Sequence, residues 1–301
     1  ILGIIYVIPF YSLIGEKGGA LYGYAYSIYG LFLNLSTAGV PFAISKITSE
    51  YNALKQFYLK EKTYKVAKYL MCILGLIFFV LLIFFAPLVS DLFIGNIKGG
   101  NTKDDVTFVI RIISSALLIV PILSVTRGYL QGHKFITPSA VSQVVEQFVR
   151  VLVIVLGSYI CLRVLNVSLT NTVGLSVFAA TIAAFAAYLF LLFKLKKNKH
   201  QLDLKYEETI EEKKVTTKSI IKKLLFYAIP FILIDAISSL YSFVDLATIN
   251  RTFVKLGYSI TEAESVISIL TTWGSKLNMI VLAVSAGMIV SLVPNISSSY
   301  A

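Results

Sequence analysis

The sequence predicts an all-α protein that crosses a membrane several times. Of its 301 residues, 57% are hydrophobic and only 14% are charged, and the mean hydropathy is +0.80. A soluble domain carries about 25% charged residues, so a soluble fold of this size would lack the polar surface to cover itself. This composition excludes a cytosolic enzyme, a secreted disulfide scaffold and a disordered chain.

About eight segments are long and apolar enough to be membrane helices, each of which needs about 20 residues. Three of them contain no charge: Gly18–Ser45, Tyr69–Ser90 and Val164–Phe193. Four contain a few charges: Val106–Thr126, Pro138–Ile160, Leu224–Ile249 and Ser265–Val293. Ile1–Leu13 resembles the end of a truncated first span, so we interpret the chain as a fragment that begins inside one membrane helix and ends near the eighth. We expect bends at Pro121, Pro230 and Gly39–Pro41, because proline and glycine interrupt helices.

The loops predict the orientation of the spans. Connections after odd-numbered spans carry six lysines and arginines; they are Gly15–Lys17, Asp91–Asp104, Cys161–Arg163 and Arg251–Glu264. Connections after even-numbered spans carry eighteen; they are Lys46–Lys68, Arg127–Lys134 and Lys194–Lys223. The even side is therefore predicted to be cytoplasmic, and this topology explains the net charge of +11 better than nucleic-acid binding does. Cys72 and Cys161 then lie near opposite faces and cannot form a disulfide. The lysine-rich residues 197–223 are predicted to be a solvated cytoplasmic linker, helical in part, between an N-terminal lobe (1–196) and the start of a C-terminal lobe (224–301).

A short internal repeat is consistent with two lobes. Ser36–Val40, followed by Ile47–Tyr51, resembles Val284–Met288, followed by Ile296–Tyr300, six spans later. Transporters are often built from duplicated halves with the transport path between them. A chance likeness between two helices rich in small residues explains the match equally well.

Charged residues inside the predicted spans are candidates for function, since each costs at least a few kcal/mol at the bilayer centre. Glu146 and Arg150 are spaced i,i+4 and share a helix face. They form either a neutralised pair that holds the first bundle together or a polar patch near the cytoplasmic mouth of a cavity. Asp235 and Lys276 lie at similar predicted depths near the middle of the bilayer. They either pair with each other or line a water-filled cavity, where Lys276 meets an anionic substrate.

Further candidates are less central. Asp245 and Arg251 lie near the predicted outer end of the seventh span, where we expect a gate or a structural role. We expect the same of Arg127. Tyr26 and Tyr29 are deep enough to contact a sugar or a partner helix. The sequence contains no nucleophile–base pair, no set of metal ligands and no phosphate-binding loop, so we expect neither enzyme activity nor a metal site.

Two pairs of motifs resemble a known family. The first pair is Gly15–Tyr22 with Leu31–Lys46, and the second is Arg127–Gly132 with Thr137–Arg150. They resemble the polysaccharide-biosynthesis branch of the MOP exporter superfamily, the branch of the MurJ-type lipid II flippases and the stage V sporulation B proteins. The resemblance implies a MATE-like bundle of about fourteen helices in two lobes, a central cavity lined by spans one, two, seven and eight, and alternating access by a rocker switch. It also implies basic residues in span one that meet a lipid diphosphate, but Gly3–Pro9 contains none.

We therefore expect a flippase of the bacterial inner membrane that moves a lipid-linked glycan, and the resemblance favours a polyprenyl-diphosphate peptidoglycan precursor similar to lipid II. In this hypothesis Lys276 contacts the diphosphate and Asp235 sets the local charge balance. We expect a monomer without a cofactor, and the sequence leaves open whether a coupling ion or the membrane potential drives transport. A flippase for another glycan is one alternative. A MATE-like, cation-coupled drug antiporter is another, although it would favour acidic cavity residues. A non-transporting scaffold would leave Glu146, Asp235 and Lys276 without a reason.

Overall fold

The fold consists of long helices and their connections. The computed structural model describes residues 6–37, 39–94, 100–198 and 215–274, together with 202, 282, 288–289 and 292–299. No strand occurs among these residues. The helices are α1 (Val7–Thr37), α2 (Val40–Ala53), α3 (Phe57–Ile94), α4 (Lys103–Ser114), α5 (Val120–Gly132), α6 (Ile136–Tyr159), α7 (Leu169–Lys197), α8 (Thr217–Lys255) and α9 (Ile260–Ser268). A shorter helical stretch covers 292–299.

Five helical segments of the described chain are long and apolar enough to cross a membrane. They are Val7–Ala53, Phe57–Ile94, Lys103–Gly132, Ile136–Val164 and Leu169–Lys197. They contain the predicted spans two to five and nearly all of span six, which confirms the multi-pass, all-α prediction. The predicted seventh span lies within α8, and about half of the predicted eighth lies outside the described residues. Many large apolar side chains on the outer helix faces are exposed, as lipid contact requires; Phe84, for example, is 76% exposed.

α1 is a hairpin of two helices joined at Gly15, where the chain was predicted to turn. Gly15 has φ +64° and ψ −170°, a conformation that favours glycine. Residues on either side then face each other, since the rings of Phe10 and Tyr22 lie 5.1 Å apart. Tyr11 approaches Gly19 so closely that a β-carbon there would lie 2.9 Å from its ring. The predicted first and second spans are therefore antiparallel neighbours.

The predicted bends have different outcomes. Gly39, with φ +72°, separates α1 from α2, so this bend is confirmed. At Pro121 the prediction was close, but the interruption precedes the proline. A 3₁₀ turn over Ser115–Leu118 separates α4 from α5, which begins beside Pro121. Proline has no N–H to donate to the carbonyl four residues earlier, so the α-helical bonding stops before it. Pro230 lies inside α8.

The helices extend past two of the span boundaries predicted from charge. Arg127–Lys134 was assigned to a connection, yet α5 continues to Gly132 and places Arg127 inside the bundle. Gly128 allows this packing, because a β-carbon there would lie 2.4 Å from the carbonyl oxygen of Pro41 in α2. α8 likewise begins at Thr217, seven residues before the predicted span.

The start of α8 is ordered by packing rather than by a membrane. Ile220, Leu224 and Ala228 recur every four residues and are buried in an apolar cluster with residues of α2, α3 and α5. Most of the predicted linker lies outside the described residues. Leu202, however, is buried, and its carbonyl oxygen accepts a hydrogen bond from Lys60 Nζ at 3.3 Å. The linker is therefore not solvated throughout.

Candidate functional site

Three charged side chains from α5 and α6 meet inside the first bundle. Glu146 lies between two arginines: Arg127 Nη2 donates to Glu146 Oε2 at 2.9 Å, and Arg150 Nη2 donates to Glu146 Oε1. Arg127 Nε also donates to Ser142 Oγ at 2.8 Å. The three charged side chains are only 14–21% exposed. One carboxylate thus faces two guanidinium groups, which leaves a net charge of one positive unit.

Tyrosines of the α1 hairpin form the second part of the site. Tyr22, Tyr26 and Tyr29 follow one another at i, i+4 and i+7, which places them on one helix face. The Tyr22 and Tyr26 rings are 4.4 Å apart, and the Tyr26 and Tyr29 rings meet edge-on at 6.0 Å. The turn at Gly15 brings Tyr6 to the same place, so that its hydroxyl lies 3.4 Å from that of Tyr22.

The two parts adjoin at Arg150, whose guanidinium interacts electrostatically with Tyr22, Tyr26 and Tyr29. Two buried polar atoms at this junction, Arg150 Nε and the Tyr26 hydroxyl, have no hydrogen bond of normal geometry within the described chain. The Tyr22 hydroxyl is close enough to the Tyr26 hydroxyl for a weak hydrogen bond, so Arg150 Nε is the atom of the two that lacks any partner in the described chain. Because an unpaired buried polar atom costs about 1–3 kcal/mol, this junction is suited to a ligand that accepts hydrogen bonds. We call Arg127, Glu146, Arg150, Tyr22, Tyr26 and Tyr29 the arginine–tyrosine cluster.

The structure therefore joins several predicted site residues and adds a partner. The predicted pair of Glu146 and Arg150 is present, and Tyr26 and Tyr29 pack beside it. Sequence reasoning missed that Arg127 shares the same carboxylate, because its basic charge had placed it in a loop. The signal that could have found it is the charge balance of α6, where one buried acid can accept bonds from two bases.

The remaining candidates lie in α8 and beyond it, and the side chains of two of them are described. Asp235 and Asp245 are exposed on α8. Arg251 lies near the end of α8, and its side chain is outside the description. Lys276 lies outside the described residues, so its pairing with Asp235 stays a prediction.

At its predicted cytoplasmic end, the first bundle is fastened to the segment that begins with α8. Lys223 Nζ donates to Glu50 Oε1 at 2.7 Å, and Ser49 Oγ donates to the carbonyl oxygen of Pro294 at 2.8 Å. Burial alone would lower the pKa of Lys223, but the bond to Glu50 and the neighbouring Tyr51 together raise it above its ordinary value. We call these contacts the inner clasp.

A second fastening lies at the opposite end. Glu264 of α9 is buried, and its Oε1 accepts hydrogen bonds from the backbone N–H of Asn101 at 3.0 Å and from Asn101 Nδ2 at 3.1 Å. Asn101 Nδ2 also donates to the carbonyl oxygen of Lys17, next to the turn of α1. We call this set the outer clasp. The first bundle and the α8–α9 segment are therefore joined at both ends.

Known proteins share both the sequence and the fold. The chain is 36% identical over all 301 residues to "Lipid II flippase MurJ" of Bacillus subtilis (strain 168), and the match covers 55% of that protein. It is 31% identical over 196 residues to "Stage V sporulation protein B" of the same organism, which covers 65% of this chain and 36% of the relative. The chain thus spans about half the length, or less, of these curated relatives.

Solved structures show the fold. An inward-facing multidrug resistance MATE family transporter of the MOP superfamily matches with a TM-score of 0.67 at 16% identity, over 98% of this chain and 60% of that one. A MOP superfamily transporter from Pyrococcus furiosus, described as having a binding pocket of reversed polarity, matches with a TM-score of 0.55 at 14% identity, over 90% of this chain and 62% of that one. The family model described as "Polysaccharide biosynthesis protein" matches residues 1–299. The chain is therefore a multi-pass membrane protein that belongs to this polysaccharide-biosynthesis family and shares the fold of these transporter structures.

Proposed function

We propose that the whole protein is a flippase that moves a lipid-linked glycan across the bacterial cytoplasmic membrane, and that the glycan is a polyprenyl-diphosphate peptidoglycan precursor of the lipid II class. The likeness of the entire chain to a relative named as a lipid II flippase supports this class of cargo. The observation that carries the proposal in the structure is the net positive charge of the arginine–tyrosine cluster. The relatives named above are transporters or sporulation proteins, and transport requires no chemical step.

The physical problem of such a flippase is the sugar–diphosphate head group. An unpaired charge in hydrocarbon is prohibitive, so the path must replace the lost hydration. Guanidinium groups suit this task because they donate two parallel hydrogen bonds to a phosphate. Tyrosine hydroxyls both donate and accept, as sugar hydroxyls require. Arg150 and Tyr26 supply both kinds of group at one place, and Arg150 Nε is still without a hydrogen-bond partner in the described chain.

Alternating access requires one end of the path to open while the other stays closed. The inner and outer clasps are suited to this role, because each consists of a few hydrogen bonds between the first bundle and the chain from α8 onward. We propose that the inner clasp opens to admit the lipid from the cytoplasmic leaflet and that the outer clasp opens to release it.

The other predicted residues retain their proposed roles. We propose that Lys276 contacts the diphosphate in the second lobe, that Asp235 adjusts its charge, and that Asp245 and Arg251 support the outer gate. Arg127 holds Glu146 in place and thereby positions Arg150.

A drug antiporter is the second candidate, favoured by the likeness to MATE structures. That likeness is one of fold, at 16% identity. The charge of the cluster argues against a cationic drug, because two bases against one acid repel cations. A flippase for a different lipid-linked glycan would use the same chemistry, so the nature of the glycan must be tested directly.

The test is a flipping assay with the full-length protein in vesicles that contain a polyprenyl-diphosphate glycan lipid. We expect Arg150→Gln to abolish most transport while it reaches normal membrane levels, because the variant keeps the balanced pair of Arg127 and Glu146. Arg163→Gln, at an exposed arginine just beyond the same helix, is the matched control and should transport normally. Normal transport by a well-inserted Arg150→Gln protein would remove the cluster from the path. Transport of a cationic dye but not of the glycan lipid would favour the antiporter instead.

A further inference from the structure

A cleft lies between the first bundle and the start of the second lobe, at the predicted cytoplasmic end. It has a volume of about 480 Å³ and lies between α2, the beginning of α8 and the helical stretch 292–299. Its walls combine aromatic and aliphatic side chains, among them Phe42 and Phe231, whose rings are 5.3 Å apart, with the charged side chains of Lys46 and Glu50. The cleft is separate from the arginine–tyrosine cluster, with which it shares no residue.

The charges in the cleft do not cancel. Glu50 is already paired with Lys223 through the inner clasp. Lys46 is half-buried, and its ammonium lies over the Tyr227 ring at 3.9 Å from the centroid. Within the described chain no carboxylate lies within ion-pair distance of Lys46. The ring attracts the ammonium and fixes its position, but it leaves N–H donors that can bind an anion.

The rim of the cleft is apolar and accessible. Leu54 is 45% exposed, Phe231 is 41% exposed and Ile296 is 53% exposed. In a membrane protein such a rim beside a fixed cation is typical of the level at which lipid head groups meet the acyl chains. The cytoplasmic leaflet carries the anionic lipids, and basic pockets between membrane helices on that side bind their head groups.

We propose that this cleft binds one anionic glycerophospholipid of the cytoplasmic leaflet. Its phosphate contacts Lys46, and the beginning of its acyl chains packs on Phe42, Phe231 and Ile296. The volume lies within the range of about 300–1,000 Å³ that holds one small ligand, which is enough for a glycerophosphate and the first part of its chains. The proposal does not depend on the glycan that the protein transports.

This site has a consequence for the inner clasp. The lipid would contact α2 from the first bundle and α8 from the second lobe at the same time. A ligand that binds only one arrangement stabilises that arrangement. The anionic lipid therefore favours the state in which the inner clasp is closed, and the protein is expected to hold that state less firmly in a zwitterionic bilayer.

The experiment uses the full-length protein, purified in detergent and titrated with phosphatidylglycerol or with phosphatidylcholine, while bound lipid is counted by native mass spectrometry. We expect one phosphatidylglycerol site that phosphatidylcholine does not fill with equal affinity. Lys46→Gln should weaken this site about fivefold, the effect of removing one cation from a lipid phosphate. Lys46→Arg should retain it. Lys65→Gln is the matched control, because Lys65 is an exposed lysine on the same predicted side and outside the cleft.

Three results would overturn the proposal. If Lys46→Gln and Lys65→Gln weaken phosphatidylglycerol binding equally, the effect arises from general surface charge and not from the cleft. Equal binding of the two phospholipids would remove the role of the anionic head group. The third result is that one equivalent of polyprenyl diphosphate displaces phosphatidylglycerol from the native protein, and that Lys46→Gln no longer binds the polyprenyl diphosphate there. The cleft would then bind the transported lipid instead. If Lys46→Gln does not fold, Lys46→Arg decides the matter, since loss of the site in that folded variant would also contradict a phosphate contact.

Discussion

Replacing Glu146 by glutamine should destabilise the first bundle more than replacing either arginine does. In the structure this carboxylate accepts hydrogen bonds from both Arg127 and Arg150. Glu146→Gln keeps the size of the side chain but leaves two guanidinium groups side by side without a counter-charge. Arg150→Gln instead leaves Arg127 and Glu146 as a neutral pair. The double variant, Glu146→Gln with Arg150→Gln, leaves Arg127 alone.

The magnitudes follow from burial. Breaking a buried ion pair by removing one partner costs about 3–5 kcal/mol. The side chains of Glu146 and the two arginines are still 14–21% exposed. We therefore expect a cost at the lower end of this range, about 3 kcal/mol, for Glu146→Gln. Arg150→Gln loses a charge-assisted hydrogen bond but leaves no buried charge unpaired, so we expect about 1.5 kcal/mol. The loss of stability in the double variant should lie between these two values, because only one unpaired cation remains.

The assay is thermal unfolding of the full-length protein in one detergent, with Arg163→Gln as the control for simple loss of an arginine. At about 2 °C per kcal/mol, Glu146→Gln should lower Tm by about 6 °C, the double variant by about 4 °C and Arg150→Gln by about 3 °C. The control should change Tm by less than about 1 °C. If Arg150→Gln is as destabilising as Glu146→Gln, the three charges do not form a unit balanced by one carboxylate, and the description of the cluster fails.

Three further predictions concern topology, the second lobe and pH. In a cysteine-free background, Lys65→Cys should react with a membrane-impermeant reagent only from the cytoplasmic side and Lys103→Cys only from outside, since the basic loops are predicted to be cytoplasmic; the reverse pattern would invert the orientation. Lys276→Ala should insert normally but lose flipping, and Lys276→Arg should retain part of it; full transport by Lys276→Ala would exclude the lysine from the mechanism. His133 is buried near Lys60, and burial first and then that charge lower its pKa to about 3. Between about pH 7 and pH 3, His133 stays neutral in the folded protein but is protonated in the unfolded chain. The free energy of unfolding therefore decreases as the pH falls through this range. His133→Leu should lessen this loss in acid unfolding curves, and unchanged curves would contradict the buried, neutral histidine.

Hydropathy was sufficient to predict the membrane-spanning helices but not their ends. The uncharged run Tyr69–Ser90 lies within α3, which begins at Phe57, because the first turns of this helix are held by packing: Leu59 and Ala67 are buried in the same apolar cluster as the start of α8. The same holds for α8, whose first turns are ordered by the burial of Ile220 and Leu224. Such packing leaves only a weak trace in a single sequence, since it depends on helices distant in the chain.

The cluster was predictable only in part, for a similar reason. The spacing of Glu146 and Arg150 on one helix is local and can be read directly. Their electrostatic interaction with Tyr26 and Tyr29 joins α6 to α1, more than a hundred residues earlier, and no local pattern in the sequence indicates it. Arg127 was assigned to a loop because it directly follows the apolar run that ends at Thr126. The close approach of α5 to α2 at Gly128 overrides that assignment.

The charge balance of the cluster is the strongest argument that it does more than hold helices together. A pair made of Glu146 and Arg127 alone would satisfy the carboxylate and leave no net charge. The second guanidinium, Arg150, gains a hydrogen bond to Glu146, but it also brings a second positive charge, and no second carboxylate in the described chain offsets the desolvation cost of that charge. An anionic ligand that completes the pairing would recover this cost as binding free energy and would stabilise the folded protein. A polyprenyl diphosphate should therefore raise the Tm of the native protein and raise that of Arg150→Gln much less, whereas an equal increase in both would show that the ligand is held by other residues.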